Sequence, residues 1–186
     1  DGNTIYGLTN NHTGEVSVTG VEVAGRQPLV SANRLWDFQT PHTTSSESLV
    51  AGLLAFDIMG TQTSEFQNNM VALDHSTHGS AQTAGIYSAV FDGISNANVQ
   101  LSFNSVYIGG SSDAASTAFL RDGTDLVSLR NNIFYNDCEG SGLHTAIANI
   151  ATTPATNWLA NASDHNYLIS SDPDVLNLWG TEPQSI

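Results

Sequence analysis

The stretch from Val127 to Asn136 shows a pattern of apolar and polar positions that recurs along the chain. Apolar residues alternate with polar ones up to Leu129, an Asn pair follows, and an aromatic-rich apolar run comes next. Alternation with a period of two predicts a strand with one buried face. The Asn pair predicts a tight bend, because Asn tolerates unusual backbone angles and bonds to nearby backbone. The stretch therefore predicts a strand, a bend and a second strand.

The same phrase occurs six times. Each copy reads Asn, any residue, a large apolar residue and then usually an aromatic one. The anchor residues are Asn3, Asn33, Asn69, Asn104, Asn132 and Asn166. Differences between successive anchors are 30, 36, 35, 28 and 34 residues. A period of this size is typical of repeat architectures.

A second motif repeats in parallel with the first. It consists of a small residue followed by a large apolar one, and it occurs at Gly20-Val21, Gly52-Leu53, Gly85-Ile86, Ala118-Phe119 and Ala146-Ile147. This motif recurs with about the same period as the Asn anchors. Because the two motifs repeat together, the second one predicts a further strand in each repeat. The run from Val50 to Ile58 could be read as a helix, but its place in this register favours a strand. Polar segments of varying length between the registers are predicted to be exposed loops.

Short strands in a repeat of about 33 residues bury their apolar faces only by stacking on neighbouring repeats. The sequence therefore predicts an all-β fold, a right-handed parallel β-helix of about five to six coils spaced about 4.8 Å apart. An up-and-down β-sandwich is the alternative, since it also has short strands at regular spacing. The double register favours the β-helix. We predict repeats over residues 1–170 and a C-terminal tail, either a partial cap or a linker, over residues 171–186.

Stacked coils place equivalent side chains in columns, and the six anchor Asn residues form one of them. A primary amide both donates and accepts, so amides in a column can satisfy one another at a buried bend. We therefore predict a structural Asn ladder made of these six anchors.

The phrase Asn131-Asn132-Ile-Phe-Tyr-Asn136, followed by the Ala146-Ile147 strand, resembles the repeats of right-handed parallel β-helix proteins of the pectate-lyase-like superfamily. More narrowly, it resembles the repeats of long bacterial surface proteins, as do Asn104-Ser-Val-Tyr and Asp164-His-Asn-Tyr-Leu-Ile. The resemblance covers about residues 1–170. It concerns scaffold motifs, so it implies a fold and an extracellular or cell-surface location and no particular chemistry.

Composition narrows the range of partners. The chain has 18 acidic residues, four Arg, no Lys and a formal net charge of -14. Such a field repels phosphates, so nucleic acid is not an expected partner. No run of 18 apolar residues is present, and no membrane span is predicted. The single Cys138 excludes a disulfide within the chain.

Several Arg and Asp residues are candidates for catalytic groups. Lyases of the superfamily that the chain resembles use a Lys or Arg as base, and the chain offers Arg26, Arg34, Arg121 and Arg130. We expect Arg121 and Arg130 to face outward, away from any acidic cluster. Hydrolases of this fold use Asp residues on neighbouring coils, and the candidates are Asp37, Asp74 and Asp137. Gly109 stands where the coil between Asp74 and Asp137 would need an Asp. This interruption favours the interpretation that the three Asp side chains are exposed carboxylates at loop edges and not a catalytic set.

Metal ligands are the second class. His12, His42 and His78 each follow an anchor Asn by nine residues, and stacked neutral imidazoles could bind Zn²⁺ or Cu²⁺. His75 and His144 could add to this set. Exposed His residues whose equal spacing is chance are the simpler interpretation. Asp122 with Asp125, and Asp172 with Asp174, offer paired oxygens to Ca²⁺ without the spacing of a dedicated loop. No cofactor is predicted, and calcium is the favoured ion if one binds.

The sequence therefore favours a non-enzymatic, extracellular or cell-surface module with a structural or adhesive role. Expected partners are further copies stacked end to end in a surface filament, neighbouring domains of a longer surface protein, or glycans. The alternative is a carbohydrate-active enzyme, either a polysaccharide lyase or a hydrolase, or a glycan-binding module with its site on one β-face. Whether the protein is an enzyme is left open, with the balance against it.

Overall fold

A computed structural model describes residues 1–59, 63–90, 98–151, 158, 163–171 and 176–184. The strands stack in parallel and form a β-solenoid of about five turns. Within these ranges the one helical segment is the 3-10 turn His75–Thr77, and no helix has the length and apolar character needed to cross a membrane. The predicted all-β class, a parallel β-helix with a spacing of about 33 residues, is confirmed.

Each coil adds one strand to each of up to three sheets, in the order A, B, C. Sheet A contains, in spatial order, β1 (Thr4–Thr9), β4 (Arg34–Gln39), β7 (Met70–Asp74), β10 (Ser105–Gly109), β13 (Ile133–Asn136) and β15 (Tyr167–Ser170). Sheet B contains β2 (Ser17–Arg26), β5 (Leu49–Met59), β8 (Gln82–Ala89), β11 (Ser116–Asp122), β14 (His144–Asn149), β16 (Asn177–Trp179) and β17 (Glu182–Gln184). Sheet C contains β3 (Leu29–Ser31), β6 (Thr63–Gln67), β9 (Asn98–Ser102) and β12 (Leu126–Arg130).

The sequence registers are columns of the core. In sheet A the inward column is Ile5, Leu35, Val71, Val106, Phe134 and Leu168, each paired with the next. In sheet B it is Val21, Leu53, Ile86, Phe119 and Ile147. Alternate residues face inward because successive side chains of a strand point to opposite faces. The run from Val50 to Ile58 lies within β5, so the strand predicted there is confirmed.

The Asn ladder is present at the bend between sheets C and A. The residue before each anchor from Asn33 to Asn166 has a φ between 53° and 59° and turns the chain. Every anchor Nδ2 up to Asn132 donates to the Oδ1 of the next anchor, at 2.8–3.0 Å. The same Oδ1 also accepts the backbone N–H of the preceding anchor, at 3.0–3.2 Å.

Small residues in the second register let sheet B approach sheet A. A Cβ on Gly85 would lie 2.1 Å from Val106 Cγ1, and a Cβ on Gly52 would lie 2.3 Å from Val71 Cγ1. Both distances are far below van der Waals contact, so the glycines are required by packing.

The expectation that Arg121 faces outward is wrong. Arg121 is fully buried; its Nη1 donates to Asn149 Oδ1 and its Nη2 to the Asp125 carbonyl, both at 2.8 Å. Burial lowers the pKa of the guanidinium, and the neighbouring Asp125 and Asp122 raise it. The charge is held inside because acidic groups and an amide of the next coil surround it. Arg130 is exposed, as expected.

The segment predicted as a C-terminal tail continues sheet B. Strand β16 pairs in parallel with β14, and β17 folds back antiparallel on β16. The solenoid pattern therefore extends beyond residue 170 as far as β16, and the antiparallel β17 departs from it.

Candidate functional site

The outer face of sheet A carries a column of exposed aromatic side chains. Because the inward positions of these strands are aliphatic or Phe, the alternate positions face solvent. Paired residues of successive coils give the column Tyr6, Trp36, Ala72, Tyr107, Tyr135 and Ile169. We call this set the aromatic column. Tyr6 is 61% exposed, Trp36 37% and Tyr107 43%. Aromatic rings left in water on four coils of one sheet mark a surface suited to ligand contact.

The rings pair on either side of a gap. Tyr6 stacks on Trp36 with ring centroids 5.1 Å apart, and Tyr107 meets Tyr135 edge to face at 5.3 Å. Ala72 lies between the two pairs and has no ring. Two coil steps separate Trp36 from Tyr107, about 9.6 Å along the column at the usual strand spacing. One flat ring sandwiched at carbon contact distances needs about 7–8 Å. The gap over Ala72 is therefore long enough for one ring, and we call it the slot; Trp36 and Tyr107 border it, and the Tyr107 phenol lies over Gly109.

The slot differs on its two sides. A cavity of about 300 Å³ extends from it over apolar groups, including Met70, Ile133 and Tyr135. A second cavity of about 410 Å³ extends the other way and is lined by Asp37, Gln39, Asp74 and Thr77. Both cavities include Trp36, Ala72 and Tyr107. The slot thus offers apolar contact on one side and hydrogen-bond acceptors on the other.

The structure brings two of the three predicted acids to this slot. Asp37 and Asp74 line one cavity, and both are exposed. Asp37 Oδ1 accepts a hydrogen bond from Gln39 Nε2 at 2.6 Å, and Asp74 Oδ1 accepts one from the Ser76 backbone at 3.1 Å. Gly109 pairs with Asp74 and interrupts the acidic column, as the sequence indicates.

Asp137 lies on the coil beyond Gly109, next to the aromatic column. Partial desolvation raises the pKa of Tyr135, and so does the charge of Asp137, which accepts the hydrogen bond of the Tyr135 phenol. This acid therefore orients a ring of the column.

The predicted calcium ligands are placed differently. Asp125 is 1% exposed and lies beside the Arg121 guanidinium, and its Oδ2 accepts a hydrogen bond from Ser88 at 3.1 Å. Its charge is already offset by a buried cation. Asp172 and Asp174 lie outside the described residues.

The three His residues predicted as metal ligands do not share an environment. His12 and His42 are exposed, whereas His78 is buried. His78 Nε2 donates to the Phe38 carbonyl at 2.8 Å, and its Nδ1 is 2.6 Å from Thr83 Oγ1. Burial lowers the pKa of His78 to about 4. That ligand set stays a prediction, and the structure points to other residues.

Those residues are His75, Cys138 and His144, which we call the His–Cys cluster. All three are buried, and one potential ligand atom from each lies within 4.8 Å of the other two. His75 belongs to the turn after β7, Cys138 follows β13 and His144 begins β14. Burial lowers the pKa of His75 to about 4, so its imidazole is neutral at pH 7. Burial raises the pKa of the Cys138 thiol.

Sequence reasoning considered His75 and His144 but missed Cys138, which it treated as an unpaired Cys. A signal was present. His75 follows Asn69 by six residues and Cys138 follows Asn132 by six, so both occupy one repeat position two coils apart.

Comparison with protein-family models, curated proteins and solved structures finds no match to the chain. The β-solenoid fold is established by the strand pairing alone. Membership of the pectate-lyase-like superfamily stays a prediction from the resemblance.

Proposed function

We propose that the protein is a non-enzymatic adhesive module that binds a neutral polysaccharide along the aromatic column, at a cell surface or outside the cell. The observation that carries the proposal is the slot over Ala72. It has aromatic walls, Trp36 and Tyr107, and two carboxylates, Asp37 and Asp74, on one side.

A sugar ring matches this slot chemically. A pyranose has apolar C–H groups on its faces and hydroxyl groups around its edge. The face of an aromatic ring carries negative charge density and attracts C–H groups, so a pyranose packs on such a face. Its hydroxyls can donate to carboxylates on one side of the slot. Pockets that combine aromatic walls with a few convergent polar groups are typical ligand sites.

Charge favours a neutral ligand. The net charge of -14 and the exposed Asp37 and Asp74 repel a polyuronate chain. Among the residues that the structure describes, Arg34 is the cation that lines the slot region, on the apolar side. A neutral chain meets no such repulsion.

The length of the column favours a polymer. Aromatic residues occupy four coils of sheet A along the stacking direction. A polysaccharide laid along that direction contacts several rings at once, and linked weak contacts act together at high effective concentration. A monosaccharide fills the slot only.

The acids at the slot support binding without cleavage. A glycoside hydrolase needs one carboxyl group kept protonated by apolar surroundings, beside a second that stays ionised. Asp37 and Asp74 are both exposed, and both accept hydrogen bonds from neighbouring donors. Both carboxylates are therefore open to water.

The test is isothermal titration of soluble neutral polysaccharides and of polygalacturonate, with and without calcium. We expect binding of a neutral chain that weakens about tenfold in Trp36→Ala and in Tyr107→Ala, equivalent to about 1.4 kcal/mol. Ala72→Phe should weaken binding as much, because the new ring fills the slot. Phe103→Ala is the matched control, since Phe103 is 58% exposed and lies outside the strands of sheet A.

Equal binding by all these variants, or no binding of any neutral chain, contradicts the proposal. New reducing ends or unsaturated products in the wild-type mixture contradict the non-enzymatic part of it. Association of copies end to end is a separate prediction, and sedimentation velocity on the same samples measures it.

A further inference from the structure

The His–Cys cluster arises where one column of the solenoid is interrupted. His75 and Cys138 stand two coils apart at the same repeat position, and the coil between them has Gly110 there. A Cβ on Gly110 would have Asp74 Oδ1 and the Ser76 nitrogen as its nearest neighbours, at 2.4 and 2.8 Å. The His75 ring extends across that coil. Its Nδ1 lies 3.4 Å from Cys138 Sγ, although the two backbone levels differ by about 9.6 Å.

Backbone carbonyls fix the tautomer of both imidazoles. His75 Nε2 is 3.1 Å from the Ala81 carbonyl, and His144 Nε2 is 3.2 Å from the Ser112 carbonyl. A carbonyl only accepts, so each Nε2 carries the proton and each Nδ1 keeps its lone pair. His residues that bind metals usually donate the other ring N–H to a carbonyl or carboxylate in this way, which holds the ligand orientation.

The distances suit a tetrahedral ion. With Zn–N bonds of about 2.0–2.1 Å and a Zn–S bond of about 2.3 Å, the N···S edge of a tetrahedron is about 3.6 Å. The observed His75 Nδ1 to Cys138 Sγ distance is 3.4 Å, and all three ligand atoms lie within 4.8 Å. Movements of about one ångström therefore complete the geometry.

His78 is adjacent and is excluded from this set. Its ring centroid is 5.6 Å from that of His75, but its Nδ1 is 2.6 Å from Thr83 Oγ1 and its Nε2 donates to a carbonyl. His144 has comparable partners, since its Nδ1 lies 2.8 Å from Ser116 Oγ and that hydroxyl has to turn away when an ion binds. His78 is excluded because the ligand atoms that lie within 4.8 Å of one another belong to His75, Cys138 and His144. The cluster therefore offers three ligands.

A cavity borders the cluster on the side of His75. It has a volume of about 440 Å³ and includes His75, Ser76, Ser112 and Asp113 in its lining. It is polar and large enough to hold water. Water in this cavity could supply the fourth ligand of an ion held by the three side chains.

We propose that His75 Nδ1, Cys138 Sγ and His144 Nδ1 bind one Zn²⁺ ion. Two imidazoles and a thiolate are the donors that Zn²⁺ accepts in tetrahedral sites, and hard cations such as Ca²⁺ prefer oxygen ligands. On binding, the Cys138 S–H bond breaks, a Zn–S bond forms and one proton leaves to solvent. The site is independent of the aromatic column and of glycan binding.

The test uses the full chain, freed of metal by chelator and titrated with Co²⁺ as a spectroscopic probe. We expect one equivalent to produce a near-ultraviolet thiolate-to-cobalt charge-transfer band together with tetrahedral visible absorption, and Zn²⁺ to displace both. Cys138→Ser should remove the charge-transfer band, and His144→Gln should weaken Co²⁺ binding at least tenfold. The exposed His42 provides the control, since His42→Gln should bind as the wild type does.

A second measurement does not depend on how the variants fold. Zn²⁺ should slow alkylation of Cys138 in the wild-type chain, because the thiolate is then held by the ion. Wild-type protein that develops no cobalt band overturns the proposal, as does a band that persists in Cys138→Ser. Loss of binding in His42→Gln overturns it in favour of the ligand set predicted from the nine-residue spacing.

Discussion

Removing one amide from the middle of the Asn ladder tests how the solenoid holds its bends together. Asn104 is fully buried and takes part in four side-chain hydrogen bonds. Its Oδ1 accepts from Asn69 N at 3.1 Å and from Asn69 Nδ2 at 2.9 Å. Its Nδ2 donates to the Phe66 carbonyl at 2.8 Å and to Asn132 Oδ1 at 3.0 Å.

The cost of Asn104→Ala follows from what each partner retains. Asn69 Nδ2 keeps its bond to the Val30 carbonyl, and Asn132 Oδ1 keeps the backbone N–H of residue 104. Asn69 N–H and the Phe66 carbonyl each lose the bond to the amide. A buried polar group left without its partner costs roughly 1–3 kcal/mol, so the two together cost roughly 2–6 kcal/mol.

Asn3→Ala is the matched control in the same ladder. Asn3 is exposed, and its side chain makes one described bond, from Nδ2 to Asn33 Oδ1 at 2.9 Å. Water replaces that donor, so the expected loss is below about 1 kcal/mol. Asn104→Asp is a second test, because it keeps the shape of the side chain. It replaces the Nδ2 donor with a carboxylate oxygen that faces two acceptors, the Phe66 carbonyl and Asn132 Oδ1. It should cost at least as much as Asn104→Ala.

The assay is urea unfolding followed by far-ultraviolet circular dichroism, with the free energy of unfolding extrapolated to water. A difference of about 2 kcal/mol or more between Asn104→Ala and Asn3→Ala is expected. Losses equal within about 0.5 kcal/mol would refute the reasoning, because the interior amides would then contribute no more than an exposed one.

Two further stability predictions use the same assay. Gly85→Ala should destabilise the protein by about 1–3 kcal/mol because its Cβ would lie 2.1 Å from Val106 Cγ1. Adding Val106→Ala should then cost less than Val106→Ala costs alone, and strictly additive effects would contradict the proposed overlap. Arg121→Met should cost about 3–5 kcal/mol because it leaves the buried Asp125 without its neighbouring cation. The exposed Arg26→Met is its control, and equal losses for the two would show that the buried charge does not matter.

The scaffold could be predicted because its determinants are local and repeated. The Asn anchors and the small-then-large pairs specify bends and inward positions, and six copies of a pattern reveal a period that one copy cannot. The Arg121 environment could not be predicted in this way. Its partners Asn149 and Asp125 come from a neighbouring coil and from the following turn, and burial of a charge depends on such neighbours and not on alternation along one strand.

The candidate sites were predictable in part. The slot depends on which residue stands between Trp36 and Tyr107 in the stacked column, and that requires the register of three coils rather than of one. The predicted ligands His12, His42 and His78 share a spacing of nine residues from their anchor Asn. That offset falls in loops of different length, where equal spacing does not produce equal position. Positions six residues after an anchor lie next to the strands, where successive coils remain in register. His75 and Cys138 both occupy this position, and their side chains meet.

Both candidate sites lie where a column is broken by a small residue, Ala72 on the outer face and Gly110 at the His–Cys cluster. This follows from the geometry of stacking. Side chains at equal positions on adjacent coils stand about 4.8 Å apart and fill the space between them, so an unbroken column of large residues has no room for a ligand. Replacing one member with Ala opens about two coil spacings, enough for a sugar ring on the outer face. In a solenoid the departures from the repeat are therefore the positions at which to look for function.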